Sequence, residues 1–187
     1  MRPRTARGLG ASQAVAGSPR GEVLLLAARP WFIWTTLLAA FVLELMPVGR
    51  HAWFPDLMAV TLVFWTVHQP RRVGLGAGFV FGLLIDSQHA ALLGEHALAY
   101  SLLAFFAVML HRRLLWFTLP QQALQILPLF VAARLLEFLV SMMAGGSAPG
   151  VSFFAAPLLQ AALWPLLSWL LLAPQRRPPS PDQDRPL

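Results

Sequence analysis

Residues 73–100 read VGLGAGFVFGLLIDSQHAALLGEHALAY, and this stretch decides the fold. Gly74, Gly78 and Gly82 recur at every fourth position of an apolar run that stops at Asp86. Each four-residue step turns a helix by only about 40° beyond a full turn, so the three glycines share one face. In lipid, glycines on one face let a second helix approach closely. The stretch therefore predicts two membrane helices packed through their backbones, with polar residues at the turn between them.

The composition of the whole chain also indicates a membrane protein. Of its 187 residues, 57% are hydrophobic and 12% are charged, whereas soluble domains carry about 25% charged residues. The absence of cysteine excludes disulfides, thiolate metal sites and cysteine nucleophiles. The fourteen basic residues are all arginines and give a net charge of +6. Because they form short clusters beside apolar runs, bilayer topology explains them better than binding to nucleic acid.

Six apolar segments predict an all-α integral membrane protein with about six transmembrane helices. A helix needs about 20 residues to cross the hydrocarbon core. Segments five and six reach that length, whereas segments three and four are short. A re-entrant hairpin built from segments three and four therefore stays open as an alternative to six full spans. The segments cover about residues 30–46, 53–67, 73–85, 97–110, 119–143 and 153–173.

Arginine placement orients these segments. Twelve of the fourteen arginines precede the first segment, follow the sixth, or lie in the loops after the second and the fourth. The positive-inside rule then places both termini in the cytoplasm. We expect one membrane domain at 22–173, between a disordered cytoplasmic arm at 1–21 and a disordered proline-rich cytoplasmic tail at 174–187.

Aromatic and basic residues mark the predicted interfaces. An aromatic belt would hold Trp31, Trp34, Trp65 and Trp116 on the cytoplasmic side and Trp53 on the outer side. Two arginine pairs face the cytoplasm and could contact anionic lipid headgroups or an acidic partner, although their topological role alone would explain them. These pairs are Arg71 with Arg72 and Arg112 with Arg113.

Polar residues at the outer end of the predicted helices are candidates for partner contacts. The Pro55–Asp56 dipeptide predicts the start of the second helix, because an acidic side chain favours the positive end of the helix dipole. Contact with a partner is the alternative for Asp56. The turn after segment three adds a loose cluster that matches no metal-ligand spacing. Its members are Asp86, His89, Glu95 and His96.

Arg134 and Glu137 lie near the middle of segment five. Their i, i+3 spacing places them on one helix face, where the two side chains can pair. Ionisable residues at this depth are costly and usually face protein or water. A structural ion pair, a contact with a partner protein and a ligand site all remain open for these residues.

The chain contains no motif that predicts catalysis. No serine occupies a nucleophile elbow, and no glycine-rich loop leads to a lysine. We therefore expect no enzyme activity, no metal and no cofactor. A small-molecule or lipid-binding transporter subunit, with a cavity near Glu44, Arg134 and Glu137, is the second functional hypothesis.

A series of short motifs resembles the rod shape-determining MreD family. The resemblance covers about residues 30–173 and is strongest at 55–105. The basic arm and the proline-rich tail lie outside it. The motifs are PDL at 55–57, FW at 64–65, PRRVG at 70–74, GLLID at 82–86, LGEHAL at 93–98 and Tyr100.

The resemblance implies a function and a fold. It implies a non-enzymatic multi-pass scaffold of the bacterial inner membrane that works in sidewall elongation. Its implied partners are an MreC-like membrane protein, the MreB filament and the RodA–penicillin-binding-protein synthase. It also implies a membrane fold similar to the substrate-binding component of energy-coupling-factor transporters, and this likeness carries no transport function with it.

Overall fold

The computed structural model describes residues 29–46, 54–89, 93–145 and 150–175, and the regular structure in these ranges is entirely helical. Short 3-10 helices at Val151–Phe154 and Ala173–Gln175 flank the last α-helix. The predicted arm at 1–21 and the tail beyond Gln175 lie outside the described residues. The α-helices are α1 (Pro30–Leu45), α2 (Leu57–His68), α3 (Leu75–His89), α4 (Glu95–Leu114), α5 (Leu119–Met143) and α6 (Ala155–Leu172).

The helices differ in length. The regions of α4, α5 and α6 are long and apolar enough to cross a membrane, whereas α1, α2 and α3 have 16, 12 and 15 residues. The prediction of a short third segment is therefore confirmed. The prediction of a short fourth segment was wrong, because α4 runs for 20 residues and includes His111, Arg112 and Arg113 in its last turn. Cations are favourable there, since they face the negative end of the helix dipole.

Helix α2 lies at the centre of the bundle. Every residue from Met58 to Val67 is buried, and the helix contacts α1, α4 and α6. A helix that is apolar all round is typical of a fully buried position. At 1.5 Å per residue α2 is about 18 Å long, shorter than the roughly 30 Å hydrocarbon core. Since protein rather than lipid surrounds it, its length does not have to match the bilayer.

The tryptophans divide between core and surface. Trp65 is fully buried and donates a hydrogen bond from its indole nitrogen to Thr36 Oγ1 at 2.8 Å. Its assignment to an interfacial belt was therefore wrong, because this bond and the packing of α1 on α2 hold the ring inside the bundle. Trp53 lies outside the described residues. The exposed members of the predicted belt are Trp31, Trp34 and Trp116.

The N-terminal end of α5 is held by local and tertiary bonds. Thr118 and Gln121 form a capping box at its start. Gln122 donates from its amide to the Phe117 carbonyl at 2.9 Å and accepts from the Trp164 indole at 3.2 Å. This second bond links α5 to α6 through a buried amide whose donor and acceptor are both used.

Candidate functional site

Helices α3 and α4 approach at backbone distance through two glycines. A Cβ atom at Gly78 would lie 2.6 Å from the Tyr100 carbonyl oxygen, and one at Gly82 would lie 2.6 Å from the Ala97 nitrogen. Both distances are too short for a real Cβ atom, so a larger residue would push the helices apart. Gly74 precedes α3, and a Cβ there would meet only the Pro70 carbonyl, at an ordinary 3.6 Å. Within the described residues, the close approach therefore depends on Gly78 and Gly82 and does not involve Gly74.

This approach brings the Asp86 carboxylate to the start of α4. Its Oδ2 accepts hydrogen bonds from the backbone N–H groups of Gly94 at 2.8 Å and Ala97 at 3.2 Å, and its Oδ1 accepts from the N–H of His96 at 2.8 Å. The first N–H groups of a helix have no partner within that helix. Gly94, at the N-cap position, has no side chain to offer them. Asp86 of α3 thus caps α4.

The turn before α4 has a backbone conformation that accompanies this cap. Gly94 has a φ of +109°, in the left-handed region that favours glycine. The His96 ring adds a contact of 2.9 Å from Nδ1 to Asp86 Oδ1. Asp86 lies beyond the apolar segment 73–85. Burial by itself would raise the pKa of its carboxyl, but the hydrogen bonds from His96, Gly94 and Ala97 lower that pKa below the ordinary aspartate range.

A second carboxylate joins α2 to α4. Asp56 is the N-cap of α2, and its Oδ1 accepts from the Ala59 N–H at 2.7 Å. Its Oδ2 accepts from the hydroxyl of buried Tyr100 at 2.6 Å. Tyr100 lies one turn after His96, and the two rings meet edge to face at 6.1 Å. One face of α4 therefore contacts both carboxylates, Asp86 and Asp56.

Glu44 extends this polar region to α1. Its carboxylate lies close enough to the start of α2 to be influenced by the backbone of Leu57 and by the charges of Asp56 and Arg134. The start of α2 thus faces two carboxylates, one from its own N-cap and one from α1.

Arg134 and Glu137 form a mostly buried ion pair on α5. Arg134 Nη1 lies 2.8 Å from Glu137 Oε2, and the side chains are 16% and 6% exposed. The guanidinium also lies 3.9 Å from the centre of the Phe153 ring, a cation–π contact. The i, i+3 spacing predicts the pair. The contact with Phe153 depends on how the chain returns into α6, which sequence spacing does not reveal.

The buried polar groups converge on a narrow cleft between α2, α4, α5 and α6. Leu103 and Phe130 form part of its apolar wall, and its internal volume is about 10 Å³, which is room for about one water molecule. Among the described residues, no group of three or more potential ligand side chains could hold a metal ion. The polar lining consists of Asp56, Arg134, Glu137 and Gln160.

Charge is divided between the two ends of the bundle. Arg71 and Arg72 are exposed in the turn before α3, and Arg112 and Arg113 are exposed in the last turn of α4. The antiparallel contacts of α3 with α4 bring both pairs to one end. The carboxylates of the described residues lie toward the other end, where Arg134 pairs with one of them; they are Glu44, Asp56, Asp86, Glu95 and Glu137.

Comparison with known proteins adds an independent finding. Residues 27–173 match the model of the family described as rod shape-determining protein MreD, a range that includes all six described α-helices. The chain is also similar to the rod shape-determining protein MreD of Haemophilus influenzae, with 37% identity over 117 residues. That alignment covers 57% of this chain and 70% of the relative. No solved structure matches the chain.

Proposed function

This chain belongs to the MreD family of rod shape-determining proteins, and we propose that it is a scaffold of the cell-elongation machinery in the bacterial inner membrane. Its family is a structural, shape-determining family, so the chain is not an enzyme and its role is in rod shape. The observation that carries the proposal is the family match across 27–173, which spans the whole described helical bundle.

The proposed topology has six spans with both termini in the cytoplasm, in one membrane domain at 22–173 with disordered flanking segments. The arginine distribution supports it, because the exposed pairs Arg71–Arg72 and Arg112–Arg113 lie at one end of α3 and α4. The lengths of α4, α5 and α6 support it as well. A fold similar to the substrate-binding component of energy-coupling-factor transporters belongs to the same proposal.

The proposed partners are an MreC-like membrane protein and, in the same assembly, the MreB filament and the RodA–penicillin-binding-protein synthase. Family membership supports this assignment. The described residues form membrane helices and short connections, so partner contacts would be made within the bilayer or at its two surfaces. Asp56, Asp86, Glu95 and His96 lie at the outer end of the bundle in the proposed topology. Asp86 is buried there as the cap of α4, so its proposed contribution to partner contacts is to hold the α4 start in place, and the other three are candidates for direct contacts.

Anionic phospholipids are proposed as further partners at the cytoplasmic surface. Arg71, Arg72, Arg112 and Arg113 are all exposed at the same end of the α3–α4 pair. Each basic residue near an anionic membrane surface contributes about 1 kcal/mol of attraction. Four arginines at one end would therefore favour anionic headgroups around this part of the protein.

The proposal is tested by depletion of the protein in its native cells, together with affinity purification after gentle solubilisation. We expect depleted cells to become round and the tagged protein to recover an MreC-like partner. A plasmid copy of the wild-type chain should restore the rods and serves as the control. Depleted cells that stay rod-shaped, with no such partner recovered, would refute the scaffold role.

A transporter subunit, the second hypothesis, gains no support from the described residues. The cleft beside Arg134 and Glu137 has room for about one water molecule, too little for a metabolite. A metabolite site would need helices that stand further apart at this level.

A further inference from the structure

Gln160 is a buried residue whose side-chain amide takes no part in the contacts described above. The residue is only 4% exposed and lines the cleft between α2, α4, α5 and α6. Its amide atoms are not among the fully buried side-chain atoms that lack a hydrogen bond in the described residues, so they keep access to the cleft. A glutamine amide carries two N–H donors and one carbonyl acceptor, and buried polar groups in native proteins almost always have partners. The cleft is therefore where a partner for Gln160 would lie.

Gln122 provides a direct contrast within the same bundle. It is 5% exposed, so it is buried to nearly the same degree. Its amide donates to Phe117 and accepts from Trp164. A buried glutamine can therefore find hydrogen-bond partners in this structure, as Gln122 does. Gln160 differs from Gln122 in the residues that surround it.

A carboxylate oxygen in the cleft has spare capacity as well. Glu137 bonds to Arg134 through Oε2, and no described residue donates a hydrogen bond to its Oε1. Asp56 accepts one bond at each oxygen, and a carboxylate has about four lone-pair sites. The cleft thus offers N–H donors from Gln160 and acceptors from Glu137 and Asp56.

The size and charge of the cleft select the ligand. Its volume of about 10 Å³ fits one water molecule and excludes an organic molecule. The Arg134 guanidinium lines the same space and repels a cation. A water site needs two to four polar partners, and the cleft supplies that number.

We propose that the cleft binds one water molecule, which accepts a hydrogen bond from the Gln160 amide and donates to the carboxylates of Glu137 and Asp56. The water joins α6 to α5 and α2 at a level where Gln160 makes no direct bond to a described residue. It also hydrates two carboxylates that helix packing otherwise shields. This site does not depend on the proposed scaffold function.

Solid-state NMR of the full chain in lipid bilayers tests the site. Magnetisation is transferred from water protons to the side-chain amide nitrogens, and the build-up rates of Gln160 and Gln122 are compared. We expect build-up at Gln160 to be several-fold faster than at Gln122, although both side chains are equally buried. Equal, slow build-up at the two residues would overturn the proposal.

Native mass spectrometry of the purified protein supplies a second arm. A bound metabolite that leaves when Gln160→Leu is introduced would show that the cleft opens to hold a larger ligand, and this would also overturn the proposal. No bound metabolite, together with fast build-up at Gln160, is the expected result. Because the NMR comparison uses the wild-type chain, it stands even if the Gln160→Leu variant fails to fold.

Discussion

The Asp86 carboxylate caps a helix to which it does not belong, since its Oδ1 accepts the backbone N–H of His96 at 2.8 Å. Both residues are polar, and they flank the turn between two apolar helices that pack through glycine. The bond closes the α3–α4 hairpin at one end, while Gly78 and Gly82 close it along its length. Helices α3 and α4 are thus held together as one structural unit.

Replacement of Asp86 should destabilise this hairpin. Asp86→Ala removes the acceptor for three backbone N–H groups at the start of α4, and loss of a helix cap costs about 0.5–2 kcal/mol. We expect a lower unfolding temperature in detergent. Ser87→Ala, which changes an exposed neighbour, is the matched control. Equal unfolding temperatures for the two variants would contradict the capping role.

The same cap predicts a dependence on pH. Hydrogen bonds lower the pKa of Asp86, so its stabilising effect is present above the ordinary aspartate pKa and is lost as the pH falls through the lowered value. The stability difference between wild type and Asp86→Asn should therefore be largest at neutral pH and shrink in acid. Unfolding curves at several pH values measure it, and a difference that grows in acid would show that the charge is not what stabilises the cap.

The glycines of α3 should differ sharply in their tolerance of alanine. Gly82→Ala places a methyl group against the α4 backbone and should lower stability and the yield of folded protein. Gly76→Ala meets no atom within 4 Å, and it should stabilise the helix by up to about 1 kcal/mol through helix propensity. Comparison of unfolding temperatures distinguishes them. Identical effects at the two sites would remove the close-packing argument.

Local sequence signals predicted several features of this fold because they depend only on neighbouring residues. Pro55–Asp56 marks the start of α2, residues 119–143 bound α5 as predicted, and the spacing of Arg134 and Glu137 predicts their pair. Contacts between helices depend on how each helix rotates about its axis, which a single apolar sequence leaves undetermined. The bond of Tyr100 to Asp56 and the burial of Trp65 are of this kind.

The bond between Tyr100 and Asp56 should couple α4 to α2. Tyr100→Phe keeps the ring but removes the donor to Asp56 Oδ2, and loss of a hydrogen bond to a charged group costs about 1.5–3 kcal/mol. A double-mutant cycle with Asp56→Ala isolates the interaction free energy between the two side chains. We expect the double variant to be more stable than the sum of the single losses implies. Strict additivity would mean that the two side chains do not interact.

The two arginine pairs should act together on lipid selectivity. Replacing Arg71 and Arg72 with glutamine should reduce the amount of anionic phospholipid that stays bound after gentle solubilisation. The same replacement at Arg112 and Arg113 should have the same effect. The effect should weaken at high salt, because salt screens exposed charges. Lipid analysis of the purified variants measures it. Unchanged lipid content in the variant lacking all four arginines would leave these residues with a topological role alone.

The Arg134–Glu137 pair allows a test of what buried charge contributes to this bundle. Removing one partner leaves the other charge uncompensated, and breaking a buried pair costs about 3–5 kcal/mol. Glu137→Leu should therefore destabilise the protein more than the double change to leucine at both positions, since the double variant buries no charge. Unfolding temperatures of the single and double variants decide this. Leu135→Ala, at an exposed position between the pair, controls for the general effect of substitution in α5. If the double variant is less stable than Glu137→Leu, the ion pair stabilises the protein by more than the mutual neutralisation of its two buried charges.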